Sequence, residues 1–494
     1  MEKFRPEITL AFVIGYMILC VGIGVWAMRR THSTRDFFMA SRHLGFLVAS
    51  VAIFSSIMSG FGFVGGPGLV YKMGASSFWI LCATIAGIAL AFFLLAKRLR
   101  VIAAVRDPIS LPDAIGARYK SRSASFLAAI AILLGVLGYL ATQILAMAWV
   151  LKNILADVES IGDVPLGFCL ALSSAVLVFY CVTGGIIASV YTDLFQGLIM
   201  VVAALLVFFT AIATFEGGLT EMAETMLVDD PESIGPWGTR GMVCCLSWYF
   251  LLAVGMCGQP HVITKFMMTR SVKDARSMLP VSVLGYALSA LLWVGIGLCM
   301  RAVVLEGSHD SLSNADEAAP AFLQRYAHPL LSGIVFAGLL SAIMSTADGF
   351  LNIGAAAVVH DIPRAIRGKS LKNELLWARL ATVVLATIAA LFALYSGEMI
   401  ALLGVVGFST FAAAIVPTVA IGFNWKRATA LACNLAILSA IGVNFGLRLL
   451  SIRLPYEFDG GAFSLLVSIT VFFFVSLCSK PRKIDPDIEA AMDL

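Results

Sequence analysis

Apolar segments of about twenty residues recur along this chain, separated by short polar stretches, and that recurrence confines it to a membrane architecture. Hydrophobic residues fill 60% of the 494 positions and charged residues 13%, about half the charged share of a soluble domain. The segments are too long and too rich in glycine for the ten-residue strands of a membrane barrel, so the expected fold class is an all-α polytopic membrane protein. Length and periodicity predict thirteen spans, numbered zero to twelve: 8–28, 46–73, 76–97, 124–152, 165–183, 186–214, 241–267, 277–304, 328–357, 375–396, 399–423, 427–447 and 461–479.

The loops after spans zero, two, six, eight, ten and twelve hold 25 of the 34 Lys and Arg residues, among them Arg29, Arg30, Arg106, Lys265, Arg364 and Lys426. The longest loops on the other side, near 215–240 and 305–327, are acidic. The positive-inside rule then predicts an integral protein of the plasma (inner) membrane, with the N-terminus outside and the C-terminus cytoplasmic. An odd span count agrees with that. No loop is long enough for an independent core, and the stretch after Lys483 is a short tail, so no soluble output domain is expected. The net charge of +4 implies no nucleic-acid partner, and the ten cysteines show neither metal spacing nor a disulfide framework. Ile8–Met28 lacks a cleavage site and reads as a retained helix.

The stretch Ser55–Gly74, SSIMSGFGFVGGPGLVYKMG, lies at membrane depth yet is a poor helix. Glycine costs about 1 kcal/mol and proline about 3 against alanine inside a helix, which predicts a break at Gly65, Gly66 and Pro67. Irregular backbone at that depth survives inside protein or beside a wet cavity. The competing reading is close helix packing through small residues. Span six, five spans later, carries a second interruption at Gly258 and Pro260. Matched interruptions point to an inverted-repeat transporter with its site near the midplane; a simple proline kink is the alternative.

Ala342, Ser345 and Thr346 stand at i, i+3 and i+4, on one face of span eight. With carbonyls from an unwound neighbour they would offer the oxygens a hard cation needs. Hydroxyls back-bonding to the preceding turn are the competing reading. Asp193 in span five and Asp348 in span eight are costly intramembrane acids, functional by default, with Asp348, nearer the cytoplasmic end, having the competing reading of simply reaching water; Gln143, Gln196 and Gln259 are further polar candidates, with interhelical hydrogen bonds as the equal alternative. Paired aspartates also raise an intramembrane aspartyl protease, but the second sits in Ala-Asp-Gly rather than a Gly-x-Gly-Asp run. No zinc-protease or phosphate-loop motif stands in a credible context, so no enzyme is expected.

Together these residues resemble the sodium–solute symporters, which include sodium/proline, sodium/pantothenate and sodium/glucose types. MSGFGFVGGPG at 58–68, Arg35-Asp36-Phe37-Phe38 through Ser41-Arg42 and Gly45, Gly184-Gly185 through Thr192-Asp193 and Gln196, GQPHVITKFM at 258–267 and AIMST at 342–346 carry the likeness. The resemblance implies a LeuT-type 5+5 inverted repeat with one extra N-terminal helix and two extra C-terminal helices. Its parts would be an N-terminal helix and loop (1–45), a first repeat (46–214), a second repeat (241–424), two further helices (425–480) and a cytoplasmic tail (481–494). It implies a sodium site of Ser55, Met58 and Ala342 carbonyls with Ser345 and Thr346 hydroxyls, and a sodium-linked Asp193. By the same analogy the solute pocket would include Ser56, Ser59, Tyr139, Gln143, Met256 and Ser409. The proline branch has an aspartate where Ile57 stands, and Trp and Tyr where Leu252 and Met256 stand, so proline itself is not implied.

The expected activity is sodium-coupled uptake of a small organic solute, such as an amino acid or pantothenate-like carboxylate, by alternating access. Sodium is the coupling ion and the bilayer the solvent; no organic cofactor is expected. A proton-coupled or sodium-independent carrier on the same fold, with Asp193 taking the proton, is the alternative.

Overall fold

The computed structural model describes residues 5–29, 34–39, 44–156, 164–369, 371–396 and 400–494. Arg30, Ser41 and Arg42 lie outside the described residues. Helices form every described element except an isolated bridge between Leu44 and Thr269. The chain enters through α1 (Arg5–Met28) and the short α2 (Thr34–Met39). Span one comprises α3 (Phe46–Gly60), a π-turn over Phe61–Gly65 and α4 (Gly66–Met73). Span two is α5 (Phe78–Ala91), continuing through a π-turn into α6 (Lys97–Arg106); α7 (Leu111–Tyr119) and the long α8 (Arg122–Ala156) follow. Next, α9 is helical from Leu166 to Ala213, 48 residues. That stretch covers residues of both expected spans, 165–183 and 186–214, and its backbone is helical at 184–185, where a loop was expected.

After α10 (Gly218–Asp229), span six divides into α11 (Gly241–Gly255) and α12 (Pro260–Met268). Then come α13 (Val272–Leu305), α14 (Ala318–Arg325), α15 (Pro329–Ala356) and α16 (Ile362–Arg367). The last elements are α17 (Glu374–Ser396), α18 (Ile400–Ile415), α19 (Ala430–Leu449), α20 (Gly460–Cys478) and α21 (Pro486–Met492). Among the described residues, 11 stretches are long and apolar enough to cross a membrane. One of them, Phe46–Arg106, covers the expected spans one and two, and Leu166–Phe179 is a shorter apolar helix, against the thirteen spans expected from the sequence.

Burial identifies the centre. The spans Gly404–Ile421 and Pro329–Arg367 are the most enclosed, 83% and 78% buried, against 33% for Ala430–Leu449. Accordingly α15 packs on α3, α8 and α9, whereas α19 leans on α20 at the periphery. The tail helix α21 docks on the end of span two: Arg106 pairs with Asp485 at 2.6 Å and Asp487 at 2.5 Å, and Lys426 with Asp493 at 2.7 Å. The basic loops after spans two, ten and twelve therefore share one face. At the opposite end Trp79 stacks on Trp237, and Gly68 lies against Ala315, gathering the acidic loops there.

Candidate functional site

Two interruptions define the site. In span one the backbone breaks at Ser59, φ 36 and ψ −174. A non-glycine residue held there costs of order 1–3 kcal/mol, so its surroundings must enforce it. Gln143 Oε1 accepts the freed Gly60 N–H at 2.8 Å, and Ser59 Oγ accepts that of Phe61 at 3.2 Å. The expected break at Gly65, Gly66 and Pro67 is thus corrected to a position six residues earlier. A π-turn carries the helix through Gly65, and Pro67 stands in the first turn of α4, where its missing N–H is tolerated. Close packing explains the glycine at 66, since a Cβ there would lie 2.2 Å from the Trp293 ring. In span six the interruption falls where Gly258 and Pro260 place it: Gln259 is extended, φ −77 and ψ 107, and Pro260 opens α12.

Oxygens converge where α3 meets α15. Thr346 Oγ1 lies 3.2 Å from the Ser56 carbonyl and 3.0 Å from the Ala342 carbonyl; Ser345 Oγ lies 3.3 Å from the latter. Back-bonding and convergence thus coexist. A hydroxyl has one proton to donate, so Thr346 satisfies only one of its two carbonyls at a time. The α3 carbonyl that Thr346 meets belongs to Ser56, one residue beyond the expected Ser55, whose own hydroxyl turns to Ala52 O at 3.3 Å. Met58 is buried in the same turn of α3.

Asp193 stands beside Ser345 with both carboxylate oxygens buried and without a hydrogen bond. A buried carboxylate carries a penalty of several kcal/mol unless a cation compensates it. Lys265 Nζ is 3.8 Å away, beyond hydrogen-bond reach. That ammonium donates instead to Ala52 O at 2.5 Å and to Ser56 Oγ. Counted from the sequence as a loop cation, Lys265 is in fact buried on α12, one turn beyond His261. Its signal was its place inside the apolar run PHVITKFMM. Asp348 is also fully buried; it accepts from Asn352 at 2.9 Å, while its second oxygen has no partner.

Two cavities flank this cluster. The inner one is lined by Ser56, His261, Lys265 and Thr346 and runs to Ser110 and Asp361 on the face that carries the basic loops. At its mouth Ser110 donates to Asp361 at 2.5 Å. Nearby Asp113 is largely buried, which alone would raise its pKa; the His360 hydrogen bond and the Arg364 charge hold it below the ordinary range. The second cavity, on the other side of the break, is lined by Ile57, Phe61, Thr84, Tyr139, Leu252, Met256, Tyr286, Gly404, Val405 and Phe408. Its free space is about 20 Å³, room for one water, so it must widen to admit an organic molecule. Tyr139, His261 and Phe350 rings lie between the two, Phe350 4.6 Å from each of the others.

Of the six expected solute residues, Tyr139 and Met256 line this second cavity, and Ser56 lines the inner one. Gln143, one turn from Tyr139, keeps its Nε2 buried and unpartnered; Ser59 forms the break. Ser409 turns away, donating to Val406 O at 3.0 Å and meeting Asn444 of α19. Gln196 donates to the Tyr16 hydroxyl at 2.9 Å, and Gln259 to the Gly255 and Phe408 carbonyls, so both tie helices together. Thr84 and Tyr286 are site residues the sequence did not single out.

The model of the sodium:solute symporter family matches residues 37–436. A sodium/pantothenate symporter of Escherichia coli (strain K12) is 27% identical over 432 residues, covering 85% of this chain and 86% of the relative. The osmoregulated proline transporter OpuE of Bacillus subtilis (strain 168) is 29% identical over 424 residues, 83% of each chain. Among solved structures, a Na+-coupled sialic acid symporter in a substrate-bound outward-open state superposes with a TM-score of 0.79 at 18% identity, covering 97% of this chain and 99% of that one.

Proposed function

The chain belongs to the sodium:solute symporter family and is a sodium-coupled transporter of the plasma membrane with a LeuT-type fold, not an enzyme; from that premise we propose how it holds its ion and its solute. The oxygen cluster at Ser56, Ala342, Ser345 and Thr346, beside the buried Asp193 whose oxygens make no hydrogen bond, carries the reading. Sodium is held there, with the carbonyls of Ser55 and Met58 completing the shell as α3 adjusts around Ser59. A bound ion ties α3 to α15, and its departure through the inner cavity loosens that tie. The N-terminus lies outside and the C-terminus in the cytoplasm, so the inner cavity discharges to the cytoplasm.

The solute occupies the second cavity. Its lining contains no carboxylate, amine or guanidinium, which favours a small solute with an apolar body over a polycharged one. The unpartnered Gln143 Nε2 and the Tyr139 and Tyr286 hydroxyls supply donors suited to a carboxylate. An amino acid or a pantothenate-like acid fits both requirements, in line with the relatives named above. A potential of 100 mV is worth about 2.3 kcal/mol per charge. A tenfold sodium gradient adds about 1.4, which together sustain roughly 500-fold accumulation of a net-neutral solute. Coupling follows if sodium favours the state that binds solute better.

The test is a melting-temperature screen of purified protein against amino acids, small carboxylates, polyols and sugars, in sodium or choline at fixed pH. The reading predicts stabilisation by a compact carboxylate or zwitterion that requires sodium. Equal stabilisation in choline, or a proton requirement in its place, would overturn it.

A further inference from the structure

Lys265 has an odd address for a lysine. The residue is 5% exposed, and its ammonium bonds the two residues of α3, Ala52 and Ser56, that adjoin the oxygen cluster. The Ser56 carbonyl faces Thr346, while the Ser56 hydroxyl faces Lys265, so one residue touches both the ion cluster and the lysine. On its far side the ammonium faces Asp193 across 3.8 Å, too long for a hydrogen bond, and Asp193 has no other cation within ion-pair range among the described residues. Asp348, also fully buried, lies within electrostatic reach of both Asp193 and Lys265. Two carboxyl groups and one ammonium therefore share a buried volume beside the ion cluster.

We propose that Lys265 is a built-in competitor of the transported sodium: its ammonium stands guard over Ser56 and Asp193 when the ion is away, and sodium must push it aside to bind. This rests on the ion-site assignment above and extends it to coupling. A fixed charge on a tether keeps the empty site from collapsing around an uncompensated carboxylate, so the unloaded carrier can complete its return. The same charge repels sodium, weakening the ion enough for release into the inner cavity, which Lys265 lines. Arginine would hold the site more rigidly, whereas the single ammonium of lysine on four methylenes can swing clear.

The experiment measures sodium-dependent stabilisation of purified protein without solute, at constant ionic strength with choline as filler. Parent, Lys265→Gln, Lys265→Arg and the Ser345→Ala/Thr346→Ala double variant are titrated. The proposal predicts that Lys265→Gln lowers the half-saturating sodium concentration at least tenfold and is less stable than the parent in choline. Lys265→Arg keeps repulsion and shows no such gain. An unchanged or raised half-saturation in Lys265→Gln overturns the proposal, provided that the double variant has lost its sodium response. Should the double variant respond like the parent, the ion-site assignment has failed and the proposal falls with it. If Lys265→Gln alone does not fold, Lys265→Gln/Asp348→Asn restores the formal charge of the cluster and is compared with Asp348→Asn. The same tenfold gain is expected, and its absence is equally decisive.

Discussion

Replacing Asp193 with asparagine separates charge from shape at the ion site. The carboxylate is fully buried, both oxygens are unpartnered, and the Lys265 ammonium is 3.8 Å away. At that distance Coulomb's law with an effective dielectric of about 20 gives about 4 kcal/mol between unit charges. Sodium seated beside Ser345 lies at about 4–6 Å, so the carboxylate contributes about 3 kcal/mol to its binding, rather more than a hundredfold in affinity. Asparagine keeps the volume and loses the charge. Titrating the variant with sodium at constant ionic strength, and following its melting temperature, should raise the half-saturating concentration about a hundredfold. Sodium-free protein should also melt earlier, because Lys265 loses its counter-ion. A folded variant with half-saturation within threefold of the parent would refute the electrostatic reasoning and leave Asp193 a bystander.

Gly66→Ala should lower the melting temperature by about 1–3 °C, since the added methyl meets Trp293 and overpacking costs about 1–3 kcal/mol; unchanged melting would show that the ring moves freely. Met256→Trp should fill the second cavity and abolish solute-dependent stabilisation while leaving the sodium response intact. On the tail, Lys120 holds the Asp485 carboxyl below its ordinary pKa and Arg106 does the same for Asp487. Their contribution is therefore complete above the unfolded value near 4 and lost as pH falls through the lower folded one. Amide protection of residues 486–494, corrected for intrinsic exchange, should survive acidification to about pH 4 and fail below it; loss at pH 6 would contradict the assigned pairs.

Much of this was legible because it is periodic. Span count follows from apolar length, and Ala342, Ser345 and Thr346 share a face because the helix repeat fixes that face. The second break was placed correctly because Gly258 and Pro260 sit at the point where the backbone departs. The first was misplaced because propensity weighs Gly65, Gly66 and Pro67 without knowing that Trp293 needs the space and that a π-turn absorbs the strain. No residue type announces φ 36 at a serine; Gln143, 84 positions along, enforces it. Ser409 was misdirected because the rotation of α18 is set by α19 and α20, which the spacing within span ten does not record. Lys265 was counted by position, and only the tertiary structure shows its stem folded inward.

The most direct test of the central claim is sodium binding to the Ser345→Ala/Thr346→Ala double variant, by equilibrium binding of radioactive sodium to purified protein. Both side chains are buried and small, so the fold should survive their shortening. The account predicts that saturable sodium binding disappears while the protein remains monodisperse and folded. Parent-like saturable binding in that variant would mean that the ion is held elsewhere.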